Sequence, residues 1–319
     1  MLMAVVCTAF SQSKFKKFYL RADSLLRERY ERVSYDTQYI CRPDRRFLFR
    51  IRANLSGTSI RYKNVTDGYD SHAHVSTDPR GTLSFGASYM GLAASFALNP
   101  AKMTGRNKDY ELTVSASSNR YIIDFEYQRS NTLSGDITTK NRMWQVDKNF
   151  LKMKLMNLTA CYIFNHRKFS YPAAFTQSYF QKRSAGSWLA GFSLMGGNVH
   201  TNDDAPAEAP DIHLKVFNIS IGGGYGYNLV CRNWLFHLTA MPTIIVYNYN
   251  NISIEGVEME EFTHFPDLLI NCRAAIIYNI SPRYFIGTSL VVNSSTLGNF
   301  NHYTFQTKWR GRLFFGFRL

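Results

Sequence analysis

Residues 303–319 read YTFQTKWRGRLFFGFRL. Tyr303, Phe305, Trp309, Leu313, Phe315, Phe317 and Leu319 fall on odd numbers, while Thr304, Gln306, Lys308, Arg310, Arg312 and Arg318 fall between them. A period of two is the signature of a strand with one apolar face, because successive side chains of an extended chain point to opposite sides. The same rhythm recurs upstream. Phe217, Ile219, Ile221, Tyr225, Tyr227 and Leu229 alternate with Asn218, Ser220, Gly224, Gly226 and Asn228. Leu268, Ile270, Cys272, Ala274, Ile276 and Tyr278 form another such face, and so do Tyr121, Ile123, Phe125 and Tyr127.

Strands are expected at 47–63, 82–90, 92–99, 109–117, 120–128, 151–165, 186–196, 213–228, 233–248, 267–280, 283–294 and 302–318, about twelve in all, an even number as a barrel needs. Short turns follow Met90, Ser117, Asn228 and Ile280, and longer polar loops cover 64–81, 100–108, 129–150, 197–212 and 249–266. Short turns at one end and long loops at the other are the layout of an outer-membrane barrel. The fold class expected is therefore all-β, a closed antiparallel up-and-down transmembrane β-barrel. Closure also removes the exposed edge of so large a sheet. In this frame the odd residues of 303–319 meet lipid and the even ones a wet lumen. Arg310 and Arg312 facing hydrocarbon would cost about 2–4 kcal/mol each at mid-depth. Phe315, Phe317, Trp234, Tyr284 and Phe285 are expected in the interfacial girdle, and the apolar-ended last strand resembles the signal read by barrel-assembly machinery, an expected partner.

The chain has 319 residues, 45% of them hydrophobic, with 20 Tyr, 24 Phe and a net charge of +14. The charge would suit nucleic acid or an anionic membrane surface. Alternation of cations with apolar residues along strands, rather than clustering on one face, argues against a nucleic-acid reader. Beyond the N-terminus no run of about 18 apolar residues offers a helical span. Residues 1–12, MLMAVVCTAFSQ, read as a partial signal peptide whose true start lies upstream, and Cys7 lacks the preceding small residue of a lipid anchor. Residues 13–46 form a lead segment placed in the periplasm, with an amphipathic helix over 14–34, and 47–319 form the barrel. Cys41, Cys161, Cys231 and Cys272 match no zinc spacing.

One link breaks the alternation. Residues 165–186, NHRKFSYPAAFTQSYFQKRSAG, stand where a short turn is due. This run, with YDTQYICRP at 35–43 and FGASYMGLAASFALNP at 85–100, resembles domain-of-unknown-function family 4421. The resemblance extends over most of the chain after Tyr35 and implies an outer-membrane β-barrel protein of Bacteroidetes. It brings no activity. Read from its residues, the insertion has two interpretations. It folds back into the lumen or against the rim with its cations paired, since Pro172 forbids a central strand. Otherwise it binds an anionic ligand, a lipid headgroup or a sugar polyanion, through Lys168, Tyr171, Gln177, Ser178, Lys182 and Arg183.

Inward positions are unevenly charged. The first and last strands should be neighbours and bring Arg50, Arg52, Lys308, Arg310 and Arg312 to one wall. Asp109, Glu111, Asp124 and Glu126 should line the far wall. Such walls either set a transverse field across a narrow channel for a small anionic or polar solute, or satisfy one another in a closed lumen. No Ser-hydrolase or HExxH motif is present, and His72 and His74 in DSHAH lack an evident third metal ligand. No catalytic residue, metal or cofactor is therefore assigned. The reading is a non-enzymatic channel or anionic-ligand-binding envelope protein in contact with outer-membrane lipid and lipopolysaccharide. The alternative is a lipid-modifying barrel enzyme.

Overall fold

The computed structural model describes residues 21, 24, 28, 33–66, 69–89, 92–98, 109–139, 142–203, 205, 211–254, 257–259, 267–298 and 302–319. Within them run strands β1 Ile40–Cys41, β2 Phe47–Thr66, β3 Tyr69–Thr77, β4 Arg80–Tyr89, β5 Leu92–Leu98, β6 Tyr110–Ser117, β7 Tyr121–Thr139, β8 Arg142–Ile163, β9 Phe180–Gln181, β10 Ala185–Thr201, β11 Ile212–Cys231, β12 Trp234–Ile254, β13 Val257–Met259, β14 Asp267–Asn279, β15 Tyr284–Gly298 and β16 His302–Arg318, with one short helix, α1 Tyr171–Phe175. The signal-peptide reading of 1–12, most of the helix expected over 14–34 and the loop at 100–108 lie outside the described residues.

The sheet is all antiparallel and closes on itself. Its path runs β2, β16, β15, β14, β12, β11, β10, β8, β7, β3 and back to β2, with Trp309 opposite Gly57 across the first–last seam. This corrects the expected count: ten strands close the ring, and β5 and β6 pair outside it, on β4 and β7. β4 continues the course of β3 along β2, with Ser76 opposite Ser59 and Arg80 opposite Ser56. The stretches 64–81 and 129–150, expected as loops, are largely strand. β7 and β8 are 19 and 22 residues long, which at roughly 3.3 Å per residue exceeds an apolar band of about 25 Å. Beyond that band their outward residues turn polar, and an extended polar strand looks like a loop when only hydrophobic alternation is followed.

Outward side chains are apolar through the middle of the ring. Ile51 and Leu55, Ile221, Leu238, Ile270 and Ile286 are all exposed. Aromatic pairs gather at the end that holds the short turns. Trp188 and Tyr225 lie 5.3 Å apart between centroids, Trp234 and Tyr278 4.6 Å, and Tyr284 and Phe315 6.2 Å. Phe285, expected among them, instead points inward, fully buried, with Phe314 6.3 Å away. Its even-numbered neighbours Tyr284 and Ile286 take the outside, so parity along β15 decides the matter.

The interior is not uniformly wet. At the turn end Leu48, Leu235, Ala275, Ile277, Phe285 and Phe314 pack with Ala173 and Ala174 of α1. At the loop end Ile60, Val75, Leu133, Ile137, Phe150 and Leu151 form a second apolar cluster. That second core was hidden by register. β7 slips against β8 between Ser130 and Gly135, so buried residues fall on even numbers (Glu126, Gln128, Ser130) below the slip and on odd ones (Leu133, Ile137) above it. Gly135 sits at φ +150, where a Cβ would lie 1.9 Å from the His74 carbonyl oxygen, so only glycine fits the slip.

Candidate functional site

Between the two apolar clusters lies a charged layer. The sequence pattern expected a basic wall and an acidic wall held apart; the structure joins them. Arg310 Nη1 reaches Glu126 Oε1 at 2.8 Å and Nη2 contacts Glu111, while Lys308 Nζ lies 2.9 Å from Glu126 Oε2 and 3.8 Å from Glu111 Oε1. Arg80, which sequence reasoning missed, lies 3.7 Å from Glu111, and Ser56 Oγ donates to the same carboxylate at 3.1 Å. The walls meet because β7, which carries Glu126, is only one strand removed from β2 in the closed ring, through β3, and β6, which carries Glu111, lies against β7. Asp124 pairs instead with Arg273 at 2.6 Å, and Arg273 also donates to the Tyr171 hydroxyl. Asp109 stands apart from the layer. It accepts from Ser130 Oγ, Asn131 N and Thr132 Oγ1 at 2.6–2.8 Å and so ties down the slip in β7.

Below this layer the insertion fills the turn end of the lumen. Ser170 is extended and caps α1, Pro172 occupies the first turn, where no backbone donor is needed, and Arg50 donates to the carbonyls of Phe175 and Thr176 past the helix end, the latter at 3.1 Å. Phe169 is fully buried beside Gly226, where a Cβ would approach its ring to 3.1 Å. A buried polar chain fastens the segment: His237 bonds Asn228 and Thr239 at 2.6 and 2.7 Å, Asn228 donates to the Ser170 carbonyl and to Gln181 Oε1, and Ser170 donates to Asn119. The rings of Phe169, Tyr171 and Phe175 surround the same imidazole at 5.0–5.9 Å. Burial raises the Tyr171 phenol above its ordinary range, which keeps it neutral beside Arg273. The signal for this network was visible but faint: His237 and Asn228 are inward positions facing each other across one hairpin.

The six residues assigned to an anion site in the insertion are not brought together. Tyr171 and Gln177 are buried, Gln177 beside Arg50. Ser178 bonds Thr176. Lys168, Lys182 and Arg183 lie on the outer surface of the plug around Tyr39, with Lys168 Nζ 5.1 Å from its ring centroid and Lys182 Nζ donating to the Thr37 carbonyl. The chain before the barrel straps this surface. Ile40 pairs with Gln181 and Cys41 with Phe180, and Asp36 N donates to the Arg167 carbonyl. Partial burial there raises the Cys41 thiol above its ordinary value. Arg318 closes the rim, buried with its guanidinium 4.2 Å from the Phe180 ring centroid and 4.4 Å from that of Phe285.

Charge does not balance in the space between plug and ion layer. Arg50, Arg52 and Arg312 gather on adjacent β2 and β16, with Arg52 opposite Phe314 and Arg312 opposite Asn54. Nε of both Arg50 and Arg52 is buried without a hydrogen-bond partner. Among the described residues no carboxylate forms an ion pair with any of the three, since Glu111, Glu126 and Asp124 are taken by Arg80, Lys308, Arg310 and Arg273. Guanidinium groups gathered in this way can hold an anion, and Arg50 already donates to the Phe175 and Thr176 carbonyls. His72 and His74 lie on β3 with exposed side chains, and among the described residues no group of three His, Cys, Asp or Glu is placed to hold a metal.

A model of the family described as "Domain of unknown function (DUF4421)" matches residues 34–319. No curated protein matches the chain. Among solved structures, similar chains include the outer membrane protease OmpT from Escherichia coli, 8% identical, covering 91% of this chain and 100% of that one at a TM-score of 0.42. An outer membrane channel from Pseudomonas putida F1 is 12% identical, with 89% and 99% covered and a TM-score of 0.31. The outer membrane protein OprG from Pseudomonas aeruginosa is 11% identical, with 89% and 99% covered and a TM-score of 0.29. At such identities and scores none of them says what this chain does.

Proposed function

This chain belongs to the DUF4421 family, and we propose that it is an integral outer-membrane barrel that binds a small anion inside a plugged lumen. Membrane residence is supported by the apolar outward face, the aromatic pairs at the turn end and the placement of ionisable residues inside the ring or beyond the apolar band. By the logic of such barrels the turn end, with both barrel termini and the plug, faces the periplasm, and the long hairpins face outward.

The single observation that carries the ligand is the set Arg50, Arg52 and Arg312, which forms no ion pair among the described residues. An isolated charge removed from water costs several kcal/mol unless it is paired, so a bound anion stabilises the fold. Inorganic phosphate or a small dicarboxylate has the size and charge for such a cluster. The test is thermal unfolding of detergent-solubilised protein with phosphate titrated at constant ionic strength. Wild type should gain stability with concentration as a specific ligand does, and Arg312→Gln should lose that response while keeping its heat-modifiable gel migration. A wild-type protein indifferent to phosphate and dicarboxylate alike overturns the reading.

A further inference from the structure

A second set of cations lies on the outside of the barrel, on β7, β8, β10 and β11. Arg129 is directly opposite Lys154, Lys154 opposite Asn198, and Asn198 opposite Lys215, a single row across four strands. One step further toward the loops Lys152 is opposite His200 and His200 opposite His213, their rings stacked at 6.3 Å. Like charges directly across neighbouring strands repel. A nearby acid answers only part of this: Asp211 lies 3.2 Å from His213. Among the described residues Arg129, Lys152, Lys154 and Lys215 form no ion pair.

Height decides what these cations meet. One outward position toward the turn end from Arg129, Lys154 and Lys215 come Tyr127, Met156 and Phe217, the edge of the apolar band, and Phe217 packs 6.2 Å from Tyr247. Across three strand spacings the row from Arg129 to Lys215 is about 14 Å wide. A cationic row at the border of an apolar surface fits the phosphate of a lipid whose chains lie along that surface. Opposite Phe305 and Tyr303 of β16, β2 carries a separate outward pair, Arg61 and Lys63, but β15 and β16 show only Ser294, Thr296, Phe305 and Tyr303, so the row on β7, β8, β10 and β11 is distinct from it.

We infer that the outer surface of β7, β8, β10 and β11 is a binding site for a phosphate-bearing lipid headgroup in the leaflet at the loop end, held by Arg129, Lys154 and Lys215 with Lys152 behind them. This rests on the bilayer residence proposed above and is independent of the lumenal anion. The experiment is native mass spectrometry of the full chain released from micelles, offered lipid A with two phosphates, the same lipid stripped of phosphate, or inorganic phosphate. Phosphorylated lipid should be retained and the stripped lipid should not. Lys154→Gln with Lys215→Gln should weaken retention by about 30-fold, from roughly 1 kcal/mol per cation at a membrane surface. The Lys154→Arg, Lys215→Arg pair should restore it, and Arg232→Gln with Arg283→Gln at the turn end should leave it unchanged. Equal retention of stripped lipid, displacement by millimolar inorganic phosphate, or unaltered binding by a heat-modifiable Gln pair overturns the inference. Failure of wild type to insert into vesicles overturns the bilayer reading instead.

Discussion

The two ends of the lumen are filled by different means. At the turn end a separate piece of chain, residues 164–184, enters the ring and is fastened by directional contacts: Arg50 to the end of α1, Arg273 to Tyr171, and Asn228 to Ser170. At the loop end nothing is inserted among the described residues. The walls themselves turn apolar side chains inward, with Leu133, Val146, Phe150 and Leu151 packed against Ile60 and Val75. The first solution can in principle be removed without dismantling a strand, whereas the second cannot. A plug with its own polar anchors is the part of such a barrel that can be altered for function, and a collapsed wall is a matter of stability.

Mutations at the two ends should separate them. Phe169→Ala should have the largest effect, about 3–5 kcal/mol in urea unfolding from micelles, with loss of hydrogen-exchange protection confined to the plug and its partners on β11 and β12. Leu133→Ala at the other end should cost about 2–5 kcal/mol, but there the loss should spread through β3, β7 and β8 together, because the core is the wall. If both variants lose protection over the same residues, the two ends are not independent. Arg50→Gln, which removes charged donors from the Phe175 and Thr176 carbonyls, should cost about 1.5–3 kcal/mol and weaken phosphate stabilisation as well. Lys148→Gln breaks a solvent-exposed pair with Asp78 on the outer surface and should change stability by less than about 1 kcal/mol.

Much of this architecture was legible in the residues, and what was not has identifiable causes. Alternation in 303–319 and 217–229 assigned inside and outside correctly because β11 and β16 keep one parity through the apolar band. Closure between the first and last strands followed from the barrel form. Alternation failed at Leu133 and Phe150, where slips change parity, and at 64–81 and 129–150, where strands outrun the oil-facing band. In the site, Glu111, Glu126, Lys308 and Arg310 were recognisable as inward charges, yet their pairing depended on β7 lying one strand from β2 in the described ring and on β6 lying against β7. Tyr171 and Gln177 were read as ligand contacts from composition alone. Nothing local says that a basic, aromatic segment will bury its centre, since that depends on Gly226, His237 and Phe285, which are far away in sequence. Arg273, the one inward cation of β14, anchors the plug, but nothing near it in sequence named its partners Asp124 and Tyr171.

The central claim is that inward side chains fill this cylinder while outward ones meet lipid. It is tested most directly by single-molecule conductance of the purified chain in a planar bilayer. Wild type should insert without lasting conductance steps, whichever way the potential is applied. Stable open-channel steps from the unmodified protein, abolished by Arg310→Glu, would mean that the plug and ion layer leave a continuous water path and would contradict it.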